Sequence, residues 1–315
     1  MRCSRLIGLL AVALAGWTTP AVARDRGDPC AITARVVSVL WTARSLADAV
    51  APSWPGWRPA LVEVRYLSRE GLKIDVGREQ KASCAGLAVP ARIRGHARPP
   101  RRSAITLEKH GRRFAIEVVE GNDDLPLEDL LATLVHLHFH VHQYRHELDY
   151  HDVNPRGSAP DAAWAWRNLP AVPDRARRMG VLAEAIHDDG FSPEGAMALL
   201  TVRRQQAAGL KDGHPKLPGA VSVQERFEGL ATYIEHQLVV VPAARKLLLA
   251  AGVPEARLDE DAWRKDALRV DSGFPAATGF ATAIALDASG EAWKPQLGEE
   301  TFDVLLELAA IHAVQ

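Results

Sequence analysis

Leu130-Leu131-Ala132-Thr133-Leu134-Val135-His136-Leu137-His138-Phe139-His140-Val141-His142-Gln143-Tyr144-Arg145-His146-Glu147-Leu148 is the stretch on which the reading of this chain turns. Five of the twelve histidines fall within the eleven residues from His136 to His146. No Gly or Pro interrupts the run, and Pro126 followed by Glu128 and Asp129 gives a long helix an acidic first turn. At about 100° per residue, His136, His140 and Glu147 project within roughly 40° of one another, with Gln143 beside them. His138, His142 and His146 point the other way. Leu130, Leu134, Leu137, Val141 and Leu148 line a face adjoining the first set, so His136 and His140 are the better-buried pair. Their i, i+4 spacing is the one by which two imidazoles on a helix chelate one metal ion.

Upstream, residues 31–50 have a helical period without breakers and lead into Ala51-Pro52-Ser53-Trp54-Pro55-Gly56-Trp57-Arg58-Pro59. Residues 60–67, 71–76 and 113–119 have strand character, and Ser68-Arg69-Glu70-Gly71 is a hairpin turn between the first two. The basic run from Arg92 to Arg102 contains Gly95, Pro99 and Pro100 and reads as an exposed loop, a polyanion patch being the alternative. Downstream, residues 151–174 hold four prolines and Gly157, which predicts a long surface connection. Residues 175–208 return to helical periodicity, broken near Gly190, where Ser192 can cap a helix starting at Pro193. A second Gly- and Pro-rich loop is expected over 209–222, a helical stretch around Pro242 over 223–250, and a closing helix over 302–312. The order predicts an α+β chain: a small N-terminal antiparallel sheet followed by a mostly helical C-terminal part.

Composition sets the outer bounds. The 315 residues are 47% hydrophobic and 24% charged, enough for one large domain or two smaller ones. Arg2 and Arg5, the apolar segment from Leu6 to Gly16 and Ala21-Val22-Ala23 read as a cleavable export signal over residues 1–23, cut after Ala23. The chain is therefore expected to be secreted or periplasmic. The formal net charge of −1 becomes −3 once Arg2 and Arg5 leave. Such a near-neutral balance gives no footprint for nucleic acid or an anionic membrane. No segment has the length and freedom from charge of a membrane span. Cys3 leaves with the signal, and in an oxidising compartment Cys30 and Cys84 are expected to form a disulfide worth about 2–5 kcal/mol, two separate buried thiols being the alternative.

A helix carrying His-x-x-x-His is half of a zinc site, and a catalytic zinc takes three protein ligands. The third must come from another segment, and Glu225-Arg226-Phe227-Glu228-Gly229-Leu230-Ala231-Thr232-Tyr233-Ile234-Glu235 offers one: Glu228, Thr232 and Glu235 share a helical face. Arg203 and Arg204 on the intervening helix are expected to pair with Glu225 or Glu235, and Glu235 is read as a structural partner rather than a ligand. His138, His142 and His146 are read as a partly exposed polar face, a second transition-metal site being the sharper alternative. No G-x-S-x-G elbow or phosphate-binding glycine loop is present.

The histidine run, followed some ninety residues later by Glu228-Gly229-Leu230-Ala231-Thr232-Tyr233, resembles the gluzincin zinc metallopeptidases, in which one helix carries H-E-x-x-H and a later one the glutamate ligand. The Trp54-Pro55-Gly56-Trp57 loop followed by strands is similar to secreted bacterial members, as is the more weakly matched series Thr278-Gly279-Phe280, Leu286-Asp287 and Trp293-Lys294. The resemblance implies a single zincin-like domain over 24–315, in which 24–125 form a helix and small sheet and 126–315 the metal-site helix and helical part. It also implies zinc held by His136, His140 and Glu228, and a peptide or protein substrate or ligand. One departure is decisive for chemistry: the family's catalytic Glu directly follows the first His, and Leu137 stands there. General acid–base assistance is worth about 10²–10⁴-fold in rate, and Leu can neither take nor give a proton. The expected function is that of a degenerate, non-catalytic peptidase relative. The alternatives are an active hydrolase using Glu225 as substitute base, and a His-rich metal-binding module.

Overall fold

The computed structural model describes residues 28–314 apart from 60–61, 78–82, 88, 99, 111–112, 122–124, 147–161, 270–273 and 299. Residues 1–23, expected to be an export signal, and Glu147 lie outside the described residues. The chain is α+β, with a five-stranded mixed sheet in its first half and helices over most of the rest. It groups into two compact units: one from residues 1–142 and 237–259, the other from 143–236 and 260–315.

The first unit opens with α1 (Pro29–Val50), whose buried Val36, Val37, Leu40, Ala43, Leu46, Ala47 and Val50 recur every three or four residues, the spacing of one helical face. Asp28 caps it by accepting from the Cys30 backbone N–H. The strands are β1 (Glu63–Leu67), β2 (Leu72–Val76), β3 (Ala91–His96), β4 (Ala104–His110) and β5 (Arg113–Val119), in the order β3-β2-β1-β5-β4. β1 and β2 form the expected hairpin across residues 68–71. The sheet is mixed rather than wholly antiparallel, because β1 and β5 run parallel, Val64 opposite Ile116 and Tyr66 opposite Val118. Val64, Tyr66, Ile74, Val76, Ile116 and Val118 are buried, while Glu63 is exposed and Arg65 and Glu117 partly so, the alternation of a sheet with one face in the core.

Sequence reading left out β4 and put a loop where β3 lies. The glycine and prolines around Arg92–Arg102 outweighed the pattern, but Gly95 occupies a bulge between β3 and β2 and the prolines come after the strand.

One buried carboxylate ties α1 to the sheet. Arg35 donates to both oxygens of Glu120 at 2.9 and 3.0 Å, Arg69 adds a bond of 2.8 Å, and the Tyr66 hydroxyl donates at 3.0 Å. Burial alone would raise the Glu120 pKa, but the charges and hydrogen bonds of Arg35 and Arg69 more than offset it, and the net shift is downward.

α2 (Leu127–His146) begins in this unit. Trp54 and Trp57 set their rings edge-on against Phe139, with centroids 5.3 and 5.1 Å away. Trp54-Pro55-Gly56-Trp57 is thus an aromatic clamp on the histidine helix. The unit closes with α8 (Pro242–Ala250) packed on α1.

In the second unit α3 (Ala162–Asn168) and the first turn of α4 (Ala171–Asp189) fall within the stretch 151–174 expected to be a surface connection, of which residues 151–161 lie outside the described residues. α5 (Pro193–Gly213) and α6 (Leu217–Gln224) occupy most of the second expected loop. Over residues 162–174 and 209–222 packing overturns the loop expectation: Ala165, Val172, Ala176, Leu210, Leu217, Val221, Phe274 and Ala277 form one buried cluster, which holds these helices despite their prolines. Ser192 caps α5 as expected, accepting from the Gly195 N–H. α7 (Leu230–Val240) begins here, and α9 (Glu260–Ala267), α10 (Phe274–Ala288) and α11 (Phe302–His312) complete the unit.

Cys30 and Cys84 form the expected disulfide, joining α1 to the segment before β3 across 54 residues. A loop of that size constrains the unfolded chain by about 4 kcal/mol. Cys30→Ser/Cys84→Ser should lower the unfolding free energy by that order in denaturant titrations, and reductant should lower the wild type equally while leaving the variant unmoved.

Candidate metal centre

Helix α2 carries His136 and His140 one turn apart, their rings edge to face with centroids 4.3 Å apart. Glu228 lies in a π-helical turn, Glu225–Gly229, directly ahead of α7. Such wide turns are uncommon and recur at functional sites because they re-aim a side chain that a regular helix would rotate past its target. His136, His140 and Glu228 are all buried, and each offers a ligand atom lying within 4.8 Å of the other two.

Two contacts inside the second unit hold the turn. The Gln143 carboxamide, fully buried at the end of α2, donates to the carbonyls of Arg226 and Phe227 at 3.2 Å each. On the other side the turn meets α10 at glycines. A Cβ on Gly229 would sit 2.5 Å from the Gly279 Cα, and one on Gly279 would sit 2.1 Å from the Glu225 carbonyl oxygen. Backbone therefore touches backbone there, an approach open to glycine alone. This accounts for the Glu-Gly pair in the motif and for Thr278-Gly279 fifty residues on.

Tyr233, the last residue of that motif, donates to Asp287. Trp293 Nε1 donates to the same carboxylate at 2.9 Å, and Lys294 Nζ lies 3.1 Å from it and 2.7 Å from the Tyr233 oxygen. Asp287, Trp293 and Lys294 are a brace for α7. Burial, then the Asp287 charge, pushes the Tyr233 phenol far above its ordinary range, so it stays a donor.

The donor set fits a divalent transition metal. Tetrahedral zinc, held at about 2.0–2.2 Å, keeps its ligand atoms roughly 3.3 Å apart, within side-chain adjustment of the spacing here. Two neutral imidazoles and one carboxylate would compensate one of the metal's two charges.

The other expected residues fare differently. Leu137, directly after His136, is buried. Glu225 has both oxygens engaged: Oε2 accepts from Arg203 at 3.0 Å and Oε1 from the Thr278 hydroxyl at 2.7 Å. Arg203 also donates to Asp303 and Thr282. The expected pairing of Arg203 with Glu225 is present, whereas Arg204 pairs with Glu307. Glu225 is built into a buried ion-pair network, which gives it a positioning task rather than an uncommitted carboxylate.

The second histidine face departs from expectation. His138 and His142 are buried, and of that set only His146 is exposed. Burial, with the Arg44 charge beside it, lowers the His138 pKa to about 4. Phe139 lies between them, its ring 5.8 Å from that of His142, and its tryptophan clamp comes from some eighty residues upstream.

Sequence reading also passed over His236 on α7. It is buried against Phe280, and no described residue hydrogen-bonds either ring nitrogen. Burial, reinforced by Arg264 and His187 and opposed by Asp287, pushes its pKa down to about 4.

No family model matches this chain, and neither does any curated protein or solved structure.

Gly279→Ala should destabilise the protein by about 1–3 kcal/mol or more, as overpacking does, and Gly229→Ala similarly. In the same thermal melts Gly219→Ala, whose new methyl meets nothing within 4 Å, should be neutral or stabilising by up to about 1 kcal/mol. For His236, the folded state keeps the imidazole neutral down to about pH 4 whereas the unfolded chain protonates near 6.5. The associated stability is complete above pH 6.5 and is lost as pH falls toward 4, by roughly 3 kcal/mol. Denaturant midpoints for His236→Phe should fall less than wild type across that window.

Proposed function

We propose that this chain is a secreted, zinc-binding relative of the gluzincin metallopeptidases that keeps the metal centre and has lost peptide hydrolysis. The observation carrying this reading is the buried grouping of His136, His140 and Glu228, whose possible ligand atoms lie within 4.8 Å of one another.

Bound zinc would supply Lewis acidity toward an oxygen of a peptide or carboxylate ligand. The remaining chemistry falls to the protein's own residues. His136 and His140 hold the ion from one rigid helix. Glu228 adds the charge-compensating carboxylate from a turn fixed by Gln143 and the two glycines. Hydrolysis further requires a group that takes a proton from the attacking water and returns it to the leaving amine. Leu137 occupies the position of that group and has no proton to exchange. Glu225 is committed to Arg203 and Thr278. A site with a ligand set and no proton carrier binds without turning over, which favours recognition of a peptide or metal handling over cleavage.

Purified protein dialysed against zinc should retain one equivalent by elemental analysis and melt at a higher temperature than the chelated form. His136→Ala and Glu228→Ala should abolish both effects. Wild type should cleave no member of a peptide library, while Leu137→Glu, if it folds, should gain chelator-sensitive cleavage. Folded wild-type protein without zinc would sink the metal reading; chelator-sensitive cleavage by wild type would sink the non-catalytic one.

A further inference from the structure

β3 is an outer strand of the sheet, and the chain around it is strongly basic. Arg92, Arg94, His96, Arg98, Arg101 and Arg102 are all exposed. Glu79 and Glu108 are the nearest acidic residues in sequence on either side of this run. Arg94 pairs with Asp75 of β2 at 3.3 Å while remaining half exposed. Among the described residues no ion pair engages Arg92, Arg98, Arg101 or Arg102. The near-neutral balance of the whole chain conceals this concentration.

Three features narrow what the strip fits. The backbone edge of β3 is partly closed: Ser83 N–H donates to the Ala91 carbonyl at 2.8 Å, and the Ile93 N–H donates to Ser83 Oγ at 3.0 Å. Strand addition by an incoming peptide is therefore blocked along its first half. Next, the bulge at Gly95, whose φ of +136° suits glycine, interrupts the regular spacing of the basic side chains. A polymer with a fixed phosphate repeat gains little from so irregular a row, whereas separate, laterally mobile anions adjust to it. Lastly, the run contains no Phe, Tyr or Trp for stacking bases, and among the described residues none of the exposed large apolar side chains lies in the sheet region. Arginine's planar fork matches phosphate bidentately.

We propose that the Arg92–Arg102 strip is a peripheral docking surface for an anionic phospholipid membrane, held by phosphate contacts without insertion. It involves none of the metal-centre residues.

The test is co-sedimentation of the full protein with vesicles of phosphatidylcholine alone and of equal parts phosphatidylcholine and phosphatidylglycerol. Wild type should bind only the anionic vesicles and release in high salt. Each arginine near such a surface contributes about fivefold in affinity, so Arg92→Gln/Arg98→Gln/Arg102→Gln should bind about a hundredfold more weakly. Arg178→Gln/Lys211→Gln/Lys246→Gln removes the same charge at exposed positions elsewhere and should bind like wild type, circular dichroism confirming that both variants fold. The proposal is overturned if wild type ignores anionic vesicles, if the two variants lose binding equally, or if a single-stranded oligonucleotide binds the strip more tightly than the vesicles do. The first result would leave the arginines as guards of a sheet edge, and the last would make the partner a nucleic acid.

Discussion

Two glycines that let backbone touch backbone set the position of the Glu228 carboxylate. At Gly229 and Gly279 the wide turn before α7 and helix α10 meet without intervening side chains, and the Glu225 carbonyl lies where any Cβ on residue 279 would have to be. Dispersion between close-packed atoms is weak per pair but accumulates over such a contact, and backbone offers no rotamer to relax into. The ion pair of Glu225 with Arg203 and the hydroxyl of Thr278 fasten the same turn by polar contacts. Breaking a buried pair by removing one partner costs about 3–5 kcal/mol, which makes this network a strong constraint on where the turn can go. A liganding carboxylate delivered by an irregular backbone needs such restraint, since an unheld π-turn would revert to the regular helix and rotate Glu228 away.

The two histidines are restrained differently. They sit on a long uninterrupted helix, so their mutual geometry comes from helical periodicity. What the helix needs is a fixed rotation about its own axis, and Phe139, gripped by Trp54 and Trp57, supplies it. Phe139 is neighbour to both His138 and His140, so fixing its ring fixes the direction in which the adjacent imidazoles project. Aromatic edge-to-face contacts suit this task because they are directional, whereas aliphatic packing tolerates rotation.

Features encoded locally could be read from the sequence: the histidine helix and its acidic start, the β1–β2 hairpin, the Ser192 cap and the closing helix. The α+β order came from their succession. The metal group was legible only with the Glu-Gly motif, because spacing within one helix fixes the relation of His136 to His140 and says nothing of a residue ninety positions later. Misreadings cluster where tertiary packing overrides composition. Prolines and glycines suggested loops where α3, α6 and β3 lie, because a breaker at the first turn of a helix or at a bulge costs little once neighbouring side chains bury the rest. The burial of His138 and His142 was equally out of reach, since the aromatic clamp comes from a loop far upstream. Gln143 looked like an ordinary polar residue on a helix flank. Its role depends on two carbonyls in a turn that only the folded chain brings within 3.2 Å.

The proposed pairing of a metal-binding group with an apolar Leu137 would reflect a physical asymmetry. Removing a metal ligand from a buried site strands the remaining polar groups and costs stability, so the ligands are tied to the fold. Removing the general base costs the fold almost nothing: a buried carboxylate is expensive to hold in an apolar setting, and Leu at that position exchanges desolvation for hydrophobic contact worth about 1.5–3 kcal/mol. Chemistry is therefore easier to lose than coordination. On the function proposed above, a chain no longer selected for cleavage would gain stability at residue 137 while His136, His140 and Glu228 stayed in place, and the sequence His-Leu-His-Phe-His has that form. The same asymmetry explains why Glu225 is a poor replacement: its charge is compensated by Arg203, and releasing it toward a substrate would leave a buried guanidinium with one partner fewer.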